Sequence, residues 1–89
     1  MYAKYKFIST IIINMSWLAE YRNFGVVSFT DRMVKVYNRS NSFLIIDLGG
    51  GSKVQNALWA GDGVVITYLY GRRMKVRKYT SPNAFIEIA

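Results

Sequence analysis

The 89-residue chain contains no cysteine and no histidine. Without cysteine there is no disulfide framework, no thiolate nucleophile and no cysteine-ligated zinc site. Without histidine the chain lacks the side chain that most often serves as general base and as metal ligand. Acid is scarce as well: five Asp or Glu stand against twelve Lys or Arg. Glycoside hydrolysis needs two facing carboxylates. Among Glu20, Asp31, Asp47, Asp62 and Glu87 no such dyad emerges, because Asp62 reads as a turn residue, Glu20 and Asp62 belong to separate sequence units, and Asp47 and Glu87 lie in or near final strands. The seven serines have no histidine to activate them. These gaps assign no catalytic residue, no metal ligand and no cofactor site, and they point away from an enzyme.

What is present is apolar and basic. Fifty-two percent of residues are hydrophobic and 16% aromatic, which excludes a disordered basic tail. The net charge is +7, favouring anionic partners such as nucleic acid, an acidic protein surface or anionic lipid. Residues 1–44 carry six basic and two acidic side chains, and residues 45–89 carry six and three, so the charge is shared between the halves. A chain of this length makes one small domain with a modest core.

The N-terminus, MYAKYKFISTIIINMSWLA, places Lys4 and Lys6 before an apolar run, the outline of a short signal peptide over 1–19. Asn14 interrupts that run, and a cut after Ala19 would put Trp17 where a small residue is needed. The run is shorter than the roughly 20 apolar residues that span a membrane, so no transmembrane segment is expected. Ile11, Ile12 and Ile13 are β-branched and favour a strand. A strand, a leader and a true start at Met15 all stay open, and localisation stays unassigned.

A shift of 42 residues aligns the chain with itself. Asn14 meets Asn56, Trp17 meets Trp59, Val34 meets Val76, Tyr37 meets Tyr79, Asn41 meets Asn83, Phe43 meets Phe85 and Ile46 meets Ile88. Seven identities across residues 12–46 exceed the roughly two expected at ordinary residue usage. The FGVV and DGVV segments match only with a gap. The pattern predicts one domain over 1–89, with repeat one at about 10–48, a linker at 49–52 and repeat two at about 53–89. Strands are expected at TIIINMSW, GVVSF, MVKVY and SFLII, then at KVQNALW, GVVITYLY, RRMKVRKY and AFIEI, with no helix. Asp62-Gly63, Gly71 and Ser81-Pro82-Asn83 are the expected turns.

The segment KVQNALWAGDGVVITYLYGRRMKVRKY resembles a β-propeller blade of the WD-repeat-like kind. The resemblance extends over about residues 10–89, without a Trp-Asp dipeptide or a Gly-His pair, and no functional residue carries over from it. It implies an all-β chain of two four-stranded antiparallel repeats; a small sandwich or barrel is the alternative. Two blades cannot close a propeller, so the expectation is a homo-oligomer or docking on a larger assembly.

Two sets of candidate binding residues stand out. Arg72, Arg73, Lys75, Arg77 and Lys78 crowd into seven positions, and strand alternation puts Arg73, Lys75, Arg77 and Tyr79 on one face, with Lys35 echoing the stripe in the first repeat. Such a stripe suits an anionic partner or a nucleic-acid backbone; a solvated face that blocks edge pairing is the plainer reading and the favoured one. Trp17 and Trp59, 42 residues apart, suit either two sugar-stacking pockets or equivalent core packing. Gly49-Gly50-Gly51-Ser52-Lys53 lacks the spacing of a phosphate loop and reads as a link. Asn14-Met-Ser and Asn38-Arg-Ser match the glycosylation sequon. The expected function is a non-enzymatic structural or assembly protein, of the kind that coats or joins subunits of a virion or surface fibre. A nucleic-acid-binding module and an oligomeric carbohydrate-binding protein are the alternatives.

Overall fold

The computed structural model describes residues 17–22 and 24–89. The leader question, the Asn14 sequon and the expected strand TIIINMSW fall outside these residues, apart from Trp17. A single-turn helix, α1 (Ala19–Arg22), opens the described chain and was not expected from the residues. Seven strands follow: β1 (Val26–Thr30), β2 (Met33–Tyr37), β3 (Phe43–Asp47), β4 (Ser52–Ala60), β5 (Gly63–Tyr70), β6 (Arg73–Ser81) and β7 (Ala84–Glu87). They form two antiparallel sheets, β1-β2-β3 and β4-β5-β6-β7, each a simple meander. The chain is therefore all-β, as expected; its described strands form no closed barrel.

Two-residue turns join β1 to β2, β4 to β5 and β5 to β6. Asp31, Gly61 and Gly71 each lead their turn with positive φ, at 48°, 66° and 64°. Such turns match the right-handed twist of the flanking strands. The glycine that supplies positive φ at the β4–β5 turn is thus Gly61, and the expectation that Gly63 does so is corrected. Gly63 is constrained for another reason: a Cβ there would sit 2.6 Å from the Tyr79 carbonyl oxygen, which is backbone and cannot swing away.

Alternation sets which side chains the sheets bury. In the first sheet Val34, Val36 and Ile46 are fully buried and Val27 and Leu44 pack beside them. In the second, Val64, Ile66 and Tyr68 point inward from β5. Val54 and Ala57 join them from β4 although they are three residues apart, because a bulge between Val54 and Asn56 shifts the register by one. Trp17 and Tyr21 close one end of this core. Burying each Val, Ile or Tyr side chain contributes on the order of 1.5–3 kcal/mol, so these residues are the bulk of the hydrophobic stabilisation. β1 runs beside β4, where Val54 donates its amide to the Asp31 carbonyl at 2.6 Å.

Positions 42 residues apart occupy corresponding places in the two sheets. Tyr37 faces Phe43 across β2–β3, and Tyr79 faces Phe85 across β6–β7. Their rings pack at 5.6 and 5.0 Å. Lys35 sits over the Phe43 ring at 4.5 Å and Arg77 over the Phe85 ring at 4.0 Å. The gap in the sequence alignment has a physical origin. Val26 pairs with Tyr37 and Val64 with Tyr79, so the hairpins start in the same register. β5–β6 then continues past Tyr68–Lys75 by two more pairs, Leu69–Met74 and Tyr70–Arg73, adding four residues before its turn.

Candidate functional site

The cationic stripe on β6 lies where alternation predicted. Arg73, Lys75, Arg77 and Tyr79 pair with Tyr70, Tyr68, Ile66 and Val64, so they share the core-side face of the second sheet. That face is covered by the first sheet only in part. Its uncovered end forms a cleft of about 280 Å³ lined by Leu48, Gly50, Ser52, Tyr68, Tyr70, Lys75 and Arg77. The Gly-rich link supplies one wall: Ser52 donates its hydroxyl to the Leu48 carbonyl at 3.2 Å, and the Tyr70 ring lies against Gly51. The sequence singled out Lys75 and Arg77; Tyr68 and Tyr70 follow from the pairing of β5 with β6, and Leu48, Gly50 and Ser52 reach the cleft through the path of the link, for which no local pattern exists.

The stripe is not uniformly available. Arg77 donates to Glu87 at 3.0 Å and to the Tyr79 hydroxyl at 3.0 Å, and its guanidinium also lies 5.1 Å from the Tyr68 ring centre. Burial alone pulls the Arg77 pKa down, but its hydrogen bonds to Tyr79 and Glu87 hold it above the ordinary value. Lys78 is on the opposite face and pairs with Asp62 at 2.9 Å. The hydrogen bond from Lys78, reinforced by its charge, holds the Asp62 carboxyl below the usual carboxylate range. Tyr79 is buried, and its carbonyl accepts the Trp17 indole N–H at 2.9 Å. Among the described residues this leaves Arg72, Arg73 and Lys75 as the stripe's cations with no carboxylate partner. Burial raises the Tyr68 phenol above its ordinary pKa; Arg77 opposes that rise and Glu87, which accepts the Tyr68 hydroxyl at 3.2 Å, adds to it.

The two tryptophans are in one place. Trp17, 2% exposed, meets Trp59 edge to face at 5.5 Å between centroids. They do not hold equivalent positions, because Trp59 belongs to β4 while Trp17 precedes α1 outside any strand. The Trp59 indole nitrogen is buried without a hydrogen-bond partner among the described residues. The Asn38 sequon is also committed to the fold. The Asn38 side-chain nitrogen donates to Glu20 at 2.6 Å, and its oxygen accepts the Ser40 and Ser42 amides at 3.0 Å each.

The most open apolar surface is the outer face of the second sheet. Leu58 is 47% exposed, Met74 55% and Ile86 62%, with half-buried Val65, Leu69 and Val76 between them. The outer face of the first sheet carries Val26, Phe43 and Ile45 in the same condition. Among the described residues no three His, Cys, Asp or Glu gather as a metal site, and no helix is long and apolar enough to cross a membrane. No protein-family model matches the chain, and neither a curated protein nor a solved structure matches it.

Proposed function

We propose that this protein is a non-enzymatic assembly module: a β-repeat chain, blade-like in its meander topology, that works by docking its exposed sheet faces on protein partners. The observation that carries this reading is the outer face of the β4–β7 sheet. An antiparallel sheet with one wet side normally alternates apolar-in with polar-out. Here the side away from the core is also rich in apolar side chains: Leu58 adjoins Val65, and Leu69, Met74 and Val76 adjoin one another, with Ile86 beyond Lys78, whose charge is paired with Asp62. Patches of that kind on small proteins mark interaction surfaces. The cleft at Lys75 and Arg77 is small and its arginine already has a carboxylate partner, so it is a weaker basis for function than the faces.

The test is size in the native extract. The chain is expected to migrate well above its monomer mass of 10.2 kDa. Met74→Lys combined with Ile86→Lys is expected to return it to monomer size with its circular dichroism unchanged. Migration of the wild-type chain as a monomer overturns the reading.

A further inference from the structure

We infer that the partner of each exposed face is a second copy of this chain, joined head to tail: the outer face of the β1–β3 sheet of one copy seats on the outer face of the β4–β7 sheet of the next. This rests on the assembly reading above and names its partner and geometry.

The argument comes from the internal contact between the two sheets. The first sheet turns Val34, Val36 and Ile46 into the core. The second sheet meets them with Val64, Ile66, Tyr68 and Tyr79. Under the 42-residue correspondence these are not the same face. Val34, Val36 and Ile46 correspond to Val76, to Lys78 with its charge paired to Asp62, and to Ile88, which lie on the outer side of the second sheet or just beyond β7. Tyr79, Arg77 and Phe85 correspond to Tyr37, Lys35 and Phe43, which lie on the outer side of the first sheet. Two sheets related by a dyad would turn equivalent faces toward each other. These two turn opposite faces, as consecutive members of a continuing series do.

Such a series has unsatisfied ends. The first sheet leaves open the face that, in the second sheet, is covered in part, over Val64, Ile66, Tyr68 and Tyr79. The second leaves open the face that, in the first, is covered. Ile86, 62% exposed, corresponds to half-buried Leu44, and Ile88, 54% exposed, corresponds to fully buried Ile46. The two open faces are therefore counterparts of surfaces that already fit each other inside one chain. A second copy presents both. The shallow depression of about 170 Å³ at Ser28, Thr30, Met33 and Lys35 marks the receiving face. Its counterparts Tyr68, Lys75 and Arg77 line the cleft that Leu48 walls inside the chain. Because the contact joins two different surfaces, it propagates into a ring when its rotation closes and into a filament when it does not.

The experiment uses the purified full-length chain and two single-face variants. Ile86→Lys disables the donor face and Ile45→Lys disables the receiver. Light scattering with size-exclusion chromatography is expected to give wild-type masses above a monomer. Each variant alone is expected to be monomeric, with association weakened about tenfold or more, as for losing one anchor at an interface. Mixing the two is expected to yield a one-to-one heterodimer, since each retains the face the other lacks. Met74→Lys and Val26→Lys are a second pair should either variant lose its circular dichroism. The inference is overturned if one variant monomerises and the other stays associated, which is the signature of a like-with-like contact, or if the mixture forms no heterodimer. A wild-type chain that is monomeric when pure but large in extract also overturns it, while leaving the assembly reading standing. A chain that is monomeric in both overturns the two together.

Discussion

Tyr68 is the residue on which the interior and the cleft meet. Its ring is in the core and its hydroxyl reaches Glu87 at the rim. Burial raises its pKa, as it does for Tyr21, where Glu20 adds to the effect. A raised folded-state pKa gives stability that is fully present below the unfolded value of about 10 and is lost as pH climbs through the folded one. Stability is therefore expected to fall steeply above pH 10, and a subset of the tyrosines is expected to ionise only as the fold opens. Tyr68→Phe is expected to cost about 1 kcal/mol at neutral pH, for the bond to Glu87. It is also expected to make the alkaline decline shallower in urea titrations followed by tyrosine absorbance. An unchanged alkaline slope would show that Tyr68 does not carry the effect. At this scale the sequence was legible for side-chain direction, since strand alternation alone put Arg73, Lys75, Arg77 and Tyr79 together. It was not legible for pairing. That Glu87 neutralises Arg77 depends on β7 lying beside β6 in one particular register. Likewise, Gly63 looked like the turn glycine because the conflict that demands it is with Tyr79, sixteen positions away.

The elements were the most legible part of the chain. GVVITYLY and MVKVY coincide with β5 and β2, and the other strands differ from expectation by one or two residues at their ends. Valine-rich runs bounded by glycine, asparagine and aspartate carry a local signal that tertiary context did not override. The single-turn α1 had no such signal. Its position follows from long-range contacts, with Trp17 bonded to Tyr79 and Glu20 to Asn38. The two extra pairs of the β5–β6 hairpin were visible in the sequence as a gap. Removing Leu69, Tyr70, Arg73 and Met74 is expected to leave Gly71-Arg72 turning directly between Tyr68 and Lys75, as Asp31-Arg32 does between Thr30 and Met33. Since Tyr70, Arg73 and Met74 are exposed, the shortened chain is expected to fold cooperatively with a loss of no more than about 2 kcal/mol in urea denaturation. Failure to fold would mean that the tip of the hairpin is part of the core.

For the whole molecule, the balance between small size and apolar surface is decisive. A chain of 89 residues has roughly 5–13 kcal/mol of net stability at ordinary values per residue. Covering its open faces adds to that by mass action. The melting temperature is therefore expected to rise with protein concentration, by several degrees over a hundredfold range. Ile86→Lys is expected to remove that dependence while leaving the dilute-limit melting temperature unchanged within about 2 °C. A melting temperature independent of concentration in the wild type would show that the native faces stay open. None of this was legible in composition alone. A 52% apolar content says that much surface must be hidden, but only the register says which faces are left over.

The longer β5–β6 hairpin has a consequence for how the chain finds its own structure. Neighbouring units that resemble each other invite strand exchange during folding, a recurrent failure of repeat chains. Here a Gly-Val-Val run leads into β1 at 25–27 and opens β5 at 63–65, and β2 and β6 are related through Val34 and Val76, Tyr37 and Tyr79. A five-residue β1 set against β6 would leave the backbone of Arg73 and Met74 without a ladder partner, and a β5 set against β2 would strand Leu69 and Tyr70. Only the native pairings carry the ladder of both hairpins up to their turns. The four additional residues act as a length code that tells one hairpin from the other, so that similarity sufficient for stacking does not become confusion in folding.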